Sequence, residues 1–196
     1  MSYSLVKKSW LLGILSSPIV KILEGSLFLA LLAKIALPLP FTPVPITFQT
    51  LGIYCIGIAC SPMIAISSVI AYLLEGLFLP VFYSSGYGIA AFFGPTAGYL
   101  YAFPIATVFM SLLYRQFKSP NSYILASILV GAAFIMLVLG SLWLAYYFYI
   151  MSITETVDLI KGFQLGAVPF VIGEMLKILL VIQGKGALQF FQKRYF

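Results

Sequence analysis

Histidine is absent from this chain. Its absence removes the side chain that titrates nearest neutrality, and with it the usual general base, proton shuttle and imidazole metal ligand. Charge is scarce as well. Five acidic and 11 basic residues make up 8% of the sequence, where soluble domains carry about 25%, so an ordinary soluble domain is excluded. The two cysteines, Cys55 and Cys60, lie inside an apolar run and read as packed side chains, not as a disulfide or metal site. Gly184-Lys185-Gly186 lacks the spacing of a phosphate-binding loop. No serine has an evident base partner and no pair of intramembrane aspartates occurs. The sequence therefore points to no enzyme, no cofactor and no ability to hydrolyse ATP by itself.

What the chain has is hydrophobicity, at 62% of its residues. Several apolar segments approach the roughly 20 residues that span a bilayer as helix. The runs are continuous and do not alternate polar with apolar, which excludes a β-barrel. The fold class expected is an all-α integral membrane protein.

Residues 1–18 carry Lys7-Lys8 and a short apolar run after Trp10, without the small-residue cleavage site of a signal peptide. They read as an N-terminal segment lying at the cytoplasmic interface. Residues 19–185 read as the membrane domain and 186–196 as a cytoplasmic tail. Six spans are expected, at about Ile19–Leu37, Ile46–Cys60, Met63–Leu79, Tyr99–Tyr114, Tyr123–Trp143 and Leu165–Gln183, the last starting at Pro169 if that proline takes the first helical position. The aromatic run Tyr146–Tyr149 reads as an interfacial belt, and Glu155, Asp158 and Lys161 as a short polar loop. No internal repeat is evident, so an inverted-repeat transporter has no support.

Even numbers of spans put both termini on one side. Placing them inside assigns Lys7, Lys8, Lys21, Arg115, Lys118, Lys185, Lys193 and Arg194 to the cytoplasm and Lys161 alone to the outside. That asymmetry predicts an N-in, C-in topology. The basic residues thus mark orientation in a lipid bilayer, not a nucleic-acid surface.

Two loops then share the outer end. Pro38, Pro40, Pro43 and Pro45 fall within eight residues and forbid a continuing helix; irregular backbone at membrane depth is tolerated where it lines a cavity. Residues 80–98, with Gly86, Gly88, Gly94 and Thr96, are long, apolar and aromatic, which reads as a cover over a cavity. Phe82, Tyr83, Tyr87, Phe92, Phe93 and Tyr99 are its candidate wall. Lys34 and Glu75 end their spans on this side, either as a pair or as two snorkelling groups. Ser26, Ala30 and Ala33 form a small-residue stripe on the first span, open to internal packing or to docking of another membrane protein.

The sharpest feature is Glu174 with Lys177, two charges in an apolar run. Each costs roughly 2.5–3.5 kcal/mol at mid-membrane on insertion scales. Three residues apart, they share one helix face. A packing salt bridge, a proton relay and a ligand site all fit; a ligand site would offer an acceptor to N–H groups and a donor to a carbonyl.

Four blocks narrow the choice. Val44-Pro45-Ile46-Thr47-Phe48-Gln49, then Tyr72-Leu73-Leu74 with Gly76 and Pro80-Val81-Phe82, then Gly94-Pro95-Thr96 with Gly98-Tyr99, then Pro169-Phe170 with Gly173-Glu174 and Lys177 resemble, in order, the BioY family of biotin-binding S components of energy-coupling-factor (ECF) vitamin transporters. The resemblance implies a six-transmembrane-helix ECF S-component bundle in a prokaryotic cytoplasmic membrane. It implies biotin as substrate, with a coupling membrane subunit and two ATPase subunits as partners. Carried onto this sequence, the substrate-binding candidates are Thr47, Gln49, Phe82, Tyr83, Tyr99, Glu174 and Lys177. Pro43, Pro45, Gly86, Gly88, Gly94 and Thr96 belong to the covering loops, and Ser26, Ala30 and Ala33 to the docking face. Glu174 stands where the family usually has Asp, and Ala97 offers no donor to the biotin carboxylate, for which Lys34, Tyr83 and Tyr99 are candidates. Outside the family, a proton-coupled solute transporter working alone and a membrane scaffold are the alternatives.

Overall fold

The computed structural model describes residues 17–83, 86–117 and 120–189; the expected interfacial segment around Trp10, Lys118 and the tail cations Lys193 and Arg194 lie outside them. Helix α1 runs Pro18–Lys34, α2 Gln49–Ala59, α3 Pro62–Glu75, α4 Ala97–Gln116 and α5 Ser122–Ile150. After α5, the chain forms α6 (Leu159–Gly166), a 3-10 turn at Val168–Phe170, and α7 (Val171–Gln183). The helix starts follow their sequence signals. Ser17 and Asn121 accept from Val20 and Ile124 N–H groups at their N-caps, and Pro18 and Pro62 occupy first-turn positions where no intrahelical donor is lost.

Helices α4 and α5, and the stretch Leu159–Gln183, are long and apolar enough to cross a membrane; α2 and α3 are shorter apolar helices. The last span departs from its expected start. It begins at Leu159, six residues early, with Asp158 accepting from the Lys161 N–H as N-cap. Lys161 is consequently helical, not looped, and its ammonium lies 5.5 Å from the centroid of the Phe148 ring. Pro169 then breaks the run, because proline removes a helix donor and clashes with the preceding turn. Tyr146–Tyr149 continue α5, with Tyr146 and Tyr149 exposed and Phe148 buried against Val44, Leu144 and Phe170.

Helix α2 sits at the middle of the bundle, against α1, α3, α4 and α7. Gly52 permits this, since a Cβ there would lie 2.8 Å from a Leu29 methyl of α1. At one end of the bundle the proline segment folds back as a two-residue antiparallel pair, β1 (Ala36–Leu37) with β2 (Ile46–Thr47). The same end holds the α3–α4 connection, tied to the bundle by Gly88 N–H donating to Gly76 C=O at 2.7 Å. Gly88 has φ +80°, a conformation that costs glycine least. At the opposite end Arg115 donates to the Cys60 carbonyl at 2.9 Å, and Lys185 donates to that of Pro120.

Candidate functional site

Between α2, α4, α5, α7 and the two loops lies a cavity of about 230 Å³. All seven residues singled out as substrate-binding from the sequence line it, and so do Pro45, Gly86, Gly94 and Thr96. Pro43 and Gly88 do not. Of the expected aromatic wall, Phe82, Tyr83 and Tyr99 line the cavity, whereas Tyr87 and Phe93 are exposed. Phe92 packs edge-on behind Phe82 at 5.7 Å between ring centroids.

Glu174 and Lys177 meet at the cavity floor. Lys177 Nζ lies 2.7 Å from Glu174 Oε1, with side chains 6% and 8% exposed. A buried pair of this kind is stable only if further hydrogen bonds offset desolvation. They come from α2. Thr50 Oγ1 donates to Glu174 Oε1 at 2.7 Å and accepts from Lys177 Nζ at 2.7 Å. Tyr54 donates its hydroxyl to Glu174 Oε2 at 2.6 Å. Neither Thr50 nor Tyr54 stands out in the sequence. Their spacing of four places them on one helix face, one position beyond Gln49, and that periodicity was the available signal.

The polar inventory is nearly closed. Glu174 Oε1 takes two donors and Oε2 one, so Oε2 retains an acceptor site; Lys177 uses two of its three N–H groups. Among the described residues, one acceptor site and one N–H are thus left on two buried side chains that both line the cavity. Gln49 offers less: its amide donates to Tyr72 at 2.6 Å and accepts from Thr47 at 2.9 Å. Apolar and aromatic residues, among them Val44, Phe103, Met136, Leu137 and Phe170, supply much of the remaining wall.

Two close approaches set the aromatic rings. The Tyr99 ring lies over Gly140, where a Cβ would come within 2.2 Å of it, and its hydroxyl donates to the Gly166 carbonyl. Phe82 covers Gly76 in the same way, at 2.0 Å, and meets Tyr72 edge-on at 5.3 Å.

The chain matches the model of the BioY family over residues 7–189. It belongs to the BioY family. A biotin transporter, BioY2, of Lactococcus lactis subsp. cremoris is 33% identical over 158 residues, covering 80% of this chain and 81% of the relative. A probable biotin transporter BioY of Pyrococcus horikoshii is 34% identical over 136 residues, 69% of this chain and 74% of that one. A crystal structure of the S-component for biotin from an ECF-type ABC transporter superposes with a TM-score of 0.76 at 23% identity, over 98% of this chain and 95% of that one. The fold is thus that of an S component. Membership of a transporter family agrees with the exclusion of enzyme chemistry drawn from the missing residues.

In this BioY family member the structure bears on three readings that the sequence leaves open. Ser26 and Ala33 are buried in the bundle, 1% and 0% exposed, with Ser26 donating to Glu75 Oε1 at 2.7 Å. The small-residue stripe packs inward; the outer face of α1 carries Leu23, Leu27, Leu31 and Ile35, with Ala30 half-buried between. Glu75 and Lys34 do not pair, because Glu75 takes the Ser26 hydroxyl while Lys34 donates to the carbonyls of Pro80 and Phe82. Nor does Lys34 line the cavity. Of the three carboxylate candidates, Tyr83 and Tyr99 line the cavity, and the Tyr99 hydroxyl is committed to the Gly166 carbonyl.

Proposed function

We propose that this chain is the membrane-embedded substrate-binding component of a biotin uptake system. It captures biotin at the outer end and delivers it inward with an ATP-driven coupling module. The observation carrying this is that, among the described residues, Glu174 keeps an acceptor site and Lys177 an N–H that take no partner. A ureido group presents an N–H and a carbonyl side by side, and it would complete both without adding charge to a buried, neutral pair. The fused rings and alkyl chain suit the aromatic wall, and the carboxylate meets Tyr83 near the mouth. The names of the BioY relatives and the S-component fold support the same substrate.

The partners follow from what the chain lacks. With no ATP-hydrolysing motif, transport energy comes from a membrane coupling subunit and two ATPase subunits, in keeping with the ABC assignment of the structural relative. The chain makes six passes of a prokaryotic cytoplasmic membrane, with 1–18 and 186–196 inside. Among described residues, Lys21 lies near Cys60, at the same end as Arg115 and Lys185 and away from the cavity. The positive-inside rule then turns the cavity outward.

The deciding experiment is binding of labelled biotin to the purified full chain in detergent, expected at nanomolar to low-micromolar concentration. No measurable binding sinks the proposal. Biotin-independent uptake of another solute into proteoliposomes, driven by a pH gradient without ATPase partners, would instead identify a solitary transporter.

A further inference from the structure

Lys34 ends α1, where a lysine ordinarily serves the last carbonyls of its own helix. Here the side chain leaves the helix and donates to the carbonyls of Pro80 and, at 2.8 Å, Phe82, which are 46 and 48 residues away in sequence. No carboxylate competes for it, since the one ion pair among the described residues is Glu174 with Lys177. The carbonyls it holds belong to the segment whose Phe82 ring forms the cavity wall. That ring is 5% exposed and rests on Gly76 and edge-on to Tyr72, whose hydroxyl in turn takes the Gln49 amide. Without the ammonium, two loop carbonyls would lose a charge-assisted donor.

We propose that Lys34 is a positioning residue for ligand retention: by clamping the Pro80 and Phe82 carbonyls to α1, it holds the Phe82 wall closed against the bound molecule. The retention half rests on the biotin reading above; the clamp itself does not. The ammonium never enters the cavity, so its removal acts on the rate of escape, not on the polar contacts that recognise the ligand.

The test uses Lys34→Met and Lys34→Gln, neither of which reaches both carbonyls, with Lys34→Arg as the retaining variant. Lys34 is exposed, so its loss leaves no buried charge to unfold the protein. Amide exchange on the full chain without ligand should speed up about fivefold or more at Gly86 and Gly88 in the Met and Gln variants, with α3 unchanged and Arg near wild type. Biotin dissociation should accelerate about fivefold, with association within about twofold of wild type. Unchanged exchange at Gly86 and Gly88 overturns the clamp. Faster exchange with unchanged biotin dissociation overturns its role in retention. A wild-type chain that never binds biotin refutes the substrate reading and the retention half together, while the exchange measurement still decides the clamp.

Discussion

Tyr54 of α2 donates its hydroxyl to Glu174 of α7 across 2.6 Å, in the buried centre of the bundle. This bond fixes the direction in which the carboxylate presents its remaining lone pair. A glutamate has a rotatable bond more than an aspartate, and Thr50 and Tyr54 together remove that freedom.

Replacing Tyr54 by Phe deletes a hydrogen bond to a charged acceptor, worth roughly 1.5–3 kcal/mol. Biotin affinity should fall about tenfold while the fold persists. Isothermal titration of the variant against wild type checks it; an unchanged Kd would show that the carboxylate is held without Tyr54.

Lys177→Met should be the harsher change, because it strands Glu174 buried and uncompensated, at about 3–5 kcal/mol. Biotin binding should drop at least about tenfold. The double variant Glu174→Gln with Lys177→Met should recover thermal stability relative to Lys177→Met alone, without recovering binding. A thermal-unfolding series of wild type, the Glu174→Gln and Lys177→Met single variants and the double variant reads this coupling directly.

Glu174→Asp shortens the side chain by one C–C bond, about 1.5 Å. The carboxylate then withdraws from Thr50 and Tyr54, and affinity should decline about three- to tenfold. Competition binding would show it; an Asp variant as tight as wild type would mean that α7 shifts to restore the contacts.

Tyr83→Phe should weaken biotin by about threefold or more. The amide or methyl ester of biotin should be affected less, because the lost hydroxyl serves the carboxylate. Equal losses for acid and ester would remove Tyr83 from that role.

Gly140→Ala should damage the site from outside it. The added carbon would lie 2.2 Å from the Tyr99 ring, and overpacking of this kind costs about 1–3 kcal/mol. The Tm should fall, and biotin binding should weaken as Tyr99 moves; a full-strength site would show that the ring has room to yield.

Much of the site is legible in the amino-acid sequence. Glu174 and Lys177 stand out because charge in an apolar run is costly and three-residue spacing gives one helix face. The prolines between 38 and 45 signal non-helical backbone, and the chain does fold back there as β1 and β2. Thr50 and Tyr54 stay hidden because neither is costly to place in a membrane helix, so no energetic oddity flags them.

The sequence by itself determined the membrane class, the helical runs and the placement of Glu174 and Lys177 on one helix face, since each follows from local hydropathy and spacing. Only the tertiary structure decided what the polar groups touch. Ser26 and Ala33 turn inward, Glu75 takes the Ser26 hydroxyl, Lys34 reaches the Pro80 and Phe82 carbonyls, and Tyr54 crosses to Glu174. Those partners are separated by 46 to 120 residues. Hydropathy and periodicity describe a helix one at a time, whereas the pairing of faces depends on how α2 seats among α1, α3, α4 and α7.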